Sequence, residues 1–158
     1  MLGRDINTDL ISSAKYFSGK GLARHNLNYV LYDYDPEFGA GYEPGTILAA
    51  AENFGCGSSR EIAAVLFKEL QVPAILAESF ARTFYRNSIN IGLPIFEAPD
   101  VTRMFENGHI ARIDPASGMI ENVTTGAKIY IPPMPPEIQK IIDLGGLMPY
   151  VLEQLTAE

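Results

Sequence analysis

The chain has 158 residues, of which 47% are hydrophobic and 20% are charged, as is usual for a globular protein large enough to bury a core. Its formal net charge of −7 and the lack of any cluster of Lys and Arg exclude the basic surface on which nucleic-acid binding depends. No apolar run approaches the roughly 18 residues of a membrane span and the first residues do not resemble a secretion signal, so the sequence predicts a cytoplasmic protein without a membrane segment.

Turn and loop signals dominate the first 45 residues. Asn7-Thr8-Asp9 is a combination common in turns and helix caps. Residues 18–38 form a long, weakly periodic stretch, and loops of this length in compact domains are usually functional or mobile. We therefore treat residues 18–38 as a candidate functional segment.

The first strand and helix of the middle region are predicted on either side of a glycine-rich loop. Residues 46–51 are a short apolar run typical of a buried strand, and they lead into the loop at 53–57. A helix is predicted from Ser58 to Leu70, and its apolar residues on most sides indicate that it is largely buried.

Two further strands and a second helix follow. Residues 72–77 read as a buried strand, Ser79 is a candidate cap for a helix that continues to about Asn90, and Gly92 precedes a third strand at 93–98. Strands that alternate with helices of this length predict a parallel sheet. Ligands of such sheets lie beyond the carboxyl ends of the strands, where the glycine-rich loop falls.

The last third of the chain changes to short alternating segments. Residues 109–113, 119–123 and 127–131 are separated by turn sequences, which predicts an antiparallel meander. Helices are predicted at 137–144 and 149–155. Since no repeat and no linker is evident, we expect the 158 residues to form one domain.

The loop before the first predicted helix carries the strongest chemical signal. Gly57 allows a tight turn that exposes backbone amides, Ser58 and Ser59 add hydroxyls, and the planar guanidinium of Arg60 suits a carboxylate. A purely structural interpretation also exists, because Ser58 and Glu61 have the spacing of a capping box. Local physics alone favours capping over anion binding.

Several other activities fail on residue types or spacing. A dinucleotide-binding loop would need glycine where Arg60 stands, and a serine hydrolase triad would have to use His25 or His109. Cys56 is the only cysteine, so an internal disulfide is impossible and this chain alone is not expected to hold an iron–sulfur cluster. No evident base accompanies Cys56, which favours a packing role.

Four charged residues have structural explanations as good as functional ones. Arg82 and Arg86 are four residues apart on the second predicted helix, a spacing typical of a solvated face or an ion-pairing strip. Asp5 and Asp9 are equally compatible with turns.

Three blocks of sequence, taken together, closely resemble the swivelling domain of the aconitase superfamily. They occur in the family's order and spacing, and the resemblance covers essentially the whole chain. The blocks are residues 5–9 (DINTD), 53–61 (NFGCGSSRE) and 79–94 (SFARTFYRNSINIGLP). The resemblance implies an α/β fold, namely a three-layer swivelling β/β/α domain with a central parallel sheet and an additional antiparallel β section.

The resemblance also implies a hydro-lyase whose active site is built mostly by another polypeptide. That partner is a large subunit with a [4Fe-4S] cluster on three cysteines, one iron of which acts as a Lewis acid on the substrate, in a heterodimer or heterotetramer. The substrate is a small di- or tricarboxylate, a substituted malate that loses and regains water so that its hydroxyl moves to the neighbouring carbon. This chain itself is expected to bind no cofactor.

Matching residue by residue, the resemblance assigns roles to the glycine-rich loop and the N-terminal block. Ser58 is expected to be the general base that takes the proton beside a carboxylate, and Asp9 assists it. Gly57, Ser59 and Arg60 are expected to bind substrate carboxylate. Because serine is a weak base, its alkoxide needs donors and a cation nearby, and we expect the loop to supply helix-end amides and Arg60.

The chain departs from the family pattern in three places. Ile62 replaces a histidine that commonly follows the Arg-Glu pair, and the N-terminus lacks the usual preceding strand. The sequence after Tyr16 reads 17–19 (FSG) rather than containing an arginine close behind the tyrosine. The third difference bears on the substrate, because that loop contacts its variable substituent in this family.

The segment 18–38 is therefore the candidate specificity element, and we expect it to be poorly ordered without the large subunit. Lys20 or Arg24 could supply the missing cation, whereas Leu22 and Leu27 could line a pocket for an apolar substituent. Both assignments remain open at this point.

A function of another class is also compatible with the loop. The chain could be a free-standing carboxylate- or phosphate-binding module that uses the amides at residue 58 without catalysis. Co-purification with a large cluster-bearing protein would separate the two functions.

Overall fold

The computed structural model describes residues 1–17 and 26–156. The helices are α1 (Thr8–Ile11), α2 (Ala14–Phe17), α3 (Phe38–Gly41), α4 (Ile62–Glu69), α5 (Arg82–Ile91), α6 (Val101–Met104), α7 (Pro136–Asp143) and α8 (Leu147–Thr156), with a 3-10 helix at Leu27–Tyr29. The strands are β1 (Leu48–Ala50), β2 (Ile75–Ala77), β3 (Ile95–Glu97), β4 (Ala111–Asp114), β5 (Met119–Asn122) and β6 (Lys128–Tyr130). No helix in these parts of the chain is long and apolar enough to cross a membrane.

The first three strands form a parallel sheet in the order β1-β2-β3, as the alternation of strands and helices predicted. In the register, Leu48 lies beside Ile75, and Ile75 lies beside Ile95. Leu2 forms an isolated parallel bridge to Ala50 at the free edge of β1. The N-terminal segment therefore runs along the sheet, in the same direction as β1.

Both faces of the parallel sheet are buried. One face contributes Leu48, Ala50, Ile75, Ala77 and Ile95 to a core that also contains buried residues of α4 and α5. The other contributes Ala49, Leu76 and Phe96 to a second core that includes Ile120 of β5. Because neighbouring residues of a strand point to opposite faces, these short runs are apolar except for the exposed Glu97 at the end of β3. Each large buried side chain contributes about 1.5–3 kcal/mol.

The strands β4, β5 and β6 form the antiparallel meander that the C-terminal sequence predicted. The side chain of buried Asn122 stabilises the turn between β5 and β6. Its oxygen accepts from the amides of Thr124 and Thr125, and its nitrogen donates to the Met104 carbonyl at 2.7 Å. Helices, parallel sheet and antiparallel sheet thus give the three layers expected of a β/β/α domain.

The second helix of the middle region begins later than predicted, at Arg82, and Ser79 does not cap it. The Ser79 hydroxyl instead accepts a hydrogen bond from the Asn53 amide at 2.9 Å. This bond to the glycine-rich loop, 26 residues away, takes the place of the predicted cap. The end of the helix was correct, because Gly92 closes α5 in the left-handed conformation with φ 74°.

Candidate functional site

The glycine-rich loop follows β1 at the carboxyl end of the parallel sheet, and the N-terminal segment lies directly beside it. The Gly55 amide donates to the Ile6 carbonyl at 2.7 Å, and the Thr8 amide donates to the Cys56 carbonyl at 2.8 Å. These bonds continue the parallel pairing that begins at Leu2. The sequence-predicted residues of the loop and of the N-terminal block therefore meet at one place.

Gly55 fixes the path of the loop over a cluster of phenylalanines. Its φ is 77°, and a Cβ at this position would lie 2.2 Å from Cγ of Phe84. The Phe84 ring is fully buried and packs edge-to-face on Phe54, with ring centroids 5.3 Å apart. A side chain at position 55 is incompatible with this packing, so glycine is required here for both conformation and space.

Ser58 is exposed and does not cap a helix, contrary to the structural interpretation of the sequence. The helix α4 begins at Ile62, and its N-cap residue Glu61 forms no side-chain cap bond. The Ser58 carbonyl instead accepts from the Thr8 hydroxyl at 3.0 Å, and the Ser58 hydroxyl also lies 3.0 Å from the Thr8 hydroxyl. Pairing with the N-terminal segment holds residue 58 outside the helix.

The later start of α4 changes the source of any anion-binding groups. Residues 58–60 are exposed loop, so their amides precede the N-terminal amides of α4 and are not part of the helix end. Within the described residues these amides donate no hydrogen bond, and they remain available to a ligand. The predicted helix-end amides are thus replaced by free loop amides.

Arg60 and Asp9 form an ion pair beside Ser58. The Arg60 guanidinium lies 2.9 Å from a carboxylate oxygen of Asp9, and the side chains are 40% and 61% exposed. An exposed pair of this kind contributes at most about 1 kcal/mol to stability. A substrate carboxylate can therefore compete with Asp9 for the guanidinium without a large cost to the fold.

Two residues near the loop were not singled out from the sequence as part of the site. Thr8 contacts Ser58 as described above, and the Asn87 side chain on α5 donates to the Ser59 carbonyl at 3.4 Å. Thr8 lies within the block 5–9 that carries the family resemblance, so the block itself was the available signal. Asn87 likewise lies within the block 79–94, so the family resemblance was the available signal for both residues.

The other candidate residues lie in different parts of the chain. Lys20 and Arg24 lie outside the described residues. Leu27 is half-buried and packs against the core on the helix side of the sheet.

Burial, with a smaller contribution from Asp5, raises the pKa of the Cys56 thiol, which keeps it protonated at neutral pH and favours a packing role.

Arg82 and Arg86 are exposed on α5, next to a cleft of about 510 Å³ that Pro132–Pro135 also line. Neither guanidinium forms an ion pair or a hydrogen bond with any residue that the structure describes. Of the two interpretations of this pair, the solvated face is confirmed and the ion-pairing strip is not formed within these residues.

Comparison with known proteins identifies the family. The profile of the Aconitase C-terminal domain matches residues 28–99. The 3-isopropylmalate dehydratase small subunit of Moorella thermoacetica is 46% identical over 97% of this chain and 92% of its own length, and that of Heliobacterium modesticaldum is 44% identical over 94% and 89%.

A solved structure agrees with the sequence comparison. The crystal structure of 3-isopropylmalate dehydratase from Methanocaldococcus jannaschii superposes with a TM-score of 0.88 at 31% identity, covering 98% of this chain and 91% of that one. The predicted superfamily and the three-layer α/β fold are both confirmed. The chain belongs to the family of 3-isopropylmalate dehydratase small subunits.

Proposed function

We propose that this chain is the small subunit of a 3-isopropylmalate dehydratase, a hydro-lyase of leucine biosynthesis that interconverts 2- and 3-isopropylmalate together with a large subunit. Full-length similarity to small subunits of that name supports the assignment. The observation in the structure that carries it is the meeting of Ser58, Arg60 and Asp9 at an exposed corner of the sheet. A cytoplasmic location is part of the same proposal.

The exposed corner supplies half of the chemistry of a dehydration. Ser58 Oγ, as its alkoxide, takes the proton from the carbon beside a carboxylate, the C–H electron pair becomes the double bond, and the hydroxyl of the neighbouring carbon leaves with the C–O pair. Hydroxide then adds to the carbon that lost the proton, and Ser58 returns its proton to the carbon that lost the hydroxyl, which yields the isomer. Arg60, Ser59 and the amide of Gly57 orient the carboxylate, and Asp9 assists the serine.

The other half of the site belongs to the large subunit. Within the described residues no group of three His, Cys, Asp or Glu side chains is close enough to hold a metal ion, and the sequence contains one cysteine. Activation of the leaving hydroxyl is assigned to a [4Fe-4S] cluster held by three cysteines of the large subunit, in a heterodimer or heterotetramer. The exposure of Ser58 and Arg60 supports a partner that covers them.

The substituent of the malate is the least constrained part of the proposal. Small subunits of homoaconitase, citraconate or methylmalate hydratase and dimethylmalate dehydratase would share the same loop chemistry. Lys20, Arg24 and Leu22 would distinguish these substrates, and they lie outside the described residues. The names of the relatives favour 2-isopropylmalate over the alternatives.

A non-catalytic carboxylate- or phosphate-binding module is the alternative from another class. It relied on the amides at the start of a helix at residue 58, and α4 starts four residues later. The free loop amides are compatible with weak anion binding. Anion binding alone does not explain why Asp9 lies beside Arg60. A module that selects anions gains nothing from a carboxylate at its cation.

The experiment that tests the proposal is reconstitution with the large subunit of the same organism. We expect the isolated chain to fold, to have no dehydratase activity, and to acquire no iron–sulfur absorbance on anaerobic incubation with iron and sulfide, because it has one thiol. The reconstituted pair should turn over 2-isopropylmalate with a higher kcat/KM than homoaconitate, citraconate or dimethylmalate. Full activity of the isolated chain, or preference for another substrate in this panel, would contradict the proposal.

The role of Arg60 is tested by Arg60→Lys, which keeps the charge and removes the planar fork. We expect KM to rise about tenfold with a smaller change in kcat, because a carboxylate loses one of two parallel hydrogen bonds. Arg103→Lys is the matched control, since Arg103 is exposed and pairs with Asp100 at 2.9 Å on α6. Equal KM values for the two variants would remove Arg60 from substrate binding.

A further inference from the structure

The hydroxyl of Thr8 is the group closest to the proposed base that no catalytic role yet explains. Thr8 is 1% exposed, and its Oγ1 lies 3.0 Å from both the carbonyl oxygen and the hydroxyl oxygen of Ser58. The two residues are 50 positions apart in the chain and are brought together by the pairing of the N-terminal segment with the loop.

The position of this hydroxyl is fixed by the backbone on which it stands. The Thr8 amide donates to the Cys56 carbonyl at 2.8 Å, and the Thr8 carbonyl accepts from both the amide and the hydroxyl of Ser12, at 2.9 and 2.8 Å. The side chain is β-branched, which restricts its χ1 rotation. Gly57 lies beside it, and a Cβ there would be in ordinary van der Waals contact with Thr8 Oγ1, at 3.4 Å.

One assignment of hydrogens satisfies both contacts at once. A carbonyl oxygen can only accept, so the single hydrogen of the Thr8 hydroxyl is donated to the Ser58 carbonyl. The contact between the two hydroxyl oxygens must then use the Ser58 hydrogen, with Thr8 Oγ1 as acceptor. In this neutral form Ser58 is not yet a base, because proton transfer from a substrate carbon requires its alkoxide.

We propose that Thr8 is a positioning residue that stabilises the deprotonated form of Ser58. When Ser58 Oγ carries a negative charge it has no hydrogen, and rotation about the Thr8 Cβ–Oγ1 bond turns the Thr8 hydrogen to that oxygen over the same distance. When Ser58 takes the proton from the substrate carbon, the Thr8 hydroxyl returns to the Ser58 carbonyl. This switch supplies a fixed donor to the alkoxide, in addition to any free loop amide.

The inference rests on the proposed function, since it needs Ser58 to act as a base. A hydrogen bond to a charged group is stronger than one to a neutral group, so the loss of this donor acts on the step in which Ser58 is charged. The charged groups beside the pair are Asp9, next to Thr8 on α1, and Arg60, two residues after Ser58. Both are unchanged when only the Thr8 hydroxyl is removed.

The test is Thr8→Val in the reconstituted enzyme, because valine keeps the branched shape and lacks the hydroxyl. We expect kcat to fall about 10- to 100-fold with KM changed less than about threefold. The acidic limb of the pH profile of kcat should move to higher pH by about one unit, since the charged form of Ser58 loses a donor. Thr8→Ser, which restores the hydroxyl, should return kcat to within about threefold of the wild type.

Ser12→Ala is the matched control. The Ser12 hydroxyl is buried at the C-cap of α1 and donates to the Thr8 carbonyl, so its loss perturbs α1 to a similar degree, while the Ser12 amide still holds that carbonyl and Thr8 keeps its hydroxyl beside Ser58. We expect a comparable fall in melting temperature for Ser12→Ala and Thr8→Val, and a loss of kcat for Thr8→Val alone. Equal kcat values in these two variants, or an unmoved pH profile in Thr8→Val, would show that Thr8 has only a structural role.

Ser58→Ala in the same assay separates failure of this inference from failure of the proposed function. Loss of activity in Ser58→Ala with normal turnover in Thr8→Val would overturn the role of Thr8 alone. Normal turnover in Ser58→Ala would overturn both. If Thr8→Ser is as slow as Thr8→Val, the methyl group rather than the hydroxyl matters, which also overturns the inference.

Discussion

Ser58→Ala is expected to lower kcat of the reconstituted enzyme by about 10²- to 10⁴-fold, the range typical for loss of a general base. The residue is exposed at the carboxyl end of the sheet, beside Arg60, and its hydroxyl oxygen lies 3.0 Å from the Thr8 hydroxyl. KM should change little, since Arg60 and Ser59 remain to hold the carboxylate. Steady-state kinetics with saturating large subunit measures both parameters.

The stability of Ser58→Ala distinguishes catalysis from a structural role. Because α4 begins at Ile62, the variant loses no helix cap, and the expected cost is one partly buried hydrogen bond to Thr8, about 0.5–1.5 kcal/mol. Ser117→Ala is the control: the Ser117 hydroxyl donates to Asp114 at 2.5 Å in an exposed turn, and its removal should leave kcat unchanged. Near-normal turnover in Ser58→Ala would refute the mechanism without touching the family assignment.

The layers of the fold could be predicted from the sequence because they depend on local apolar patterns. Short runs such as 72–77 are apolar on both faces, and in the structure both faces of the parallel sheet are buried. The C-terminal segments alternate with turn sequences between them, and they form β4, β5 and β6. These signals act within a few residues, so they can be recognised without knowledge of the tertiary structure.

The starts of the two central helices could not be predicted from local patterns. Ser58 and Ser79 both have the chemistry of a helix cap, yet each uses its polar atoms for a tertiary contact. Ser58 binds Thr8, and Ser79 binds the backbone of Asn53. The competing partners are distant in sequence, and local sequence patterns carry no information about contacts between distant residues.

The same limit applies to the site itself. Ser58, Arg60 and Asp9 were identified through the resemblance to the aconitase superfamily, and the structure brings these three together. Thr8 was within a recognised block, but its significance depends on the contact with a residue 50 positions away. That contact follows from the pairing of the N-terminal segment beside β1, which no local pattern in residues 1–9 indicates.

Gly55→Ala is expected to destabilise the protein by about 3 kcal/mol. A non-glycine residue at φ 77° costs about 1–2 kcal/mol, and the new methyl group must displace Phe84, whose ring is buried among other aromatic rings. Chemical denaturation of the isolated chain, with the free energy of unfolding extrapolated to water, measures the loss.

Gly45→Ala isolates the contribution of packing from that of backbone conformation. Gly45 also has a positive φ, 94°, but a Cβ there meets nothing within 4 Å, so only the conformational cost of about 1–2 kcal/mol is expected. The difference between the two variants is the cost of the overlap with Phe84. Equal losses would mean that the loop can shift away from Phe84. A shift of the loop in Gly55→Ala would also move Cys56 and Ser58 relative to Thr8. We therefore expect Gly55→Ala to lower kcat under conditions where the chain stays folded, and Gly45→Ala to leave kcat unchanged.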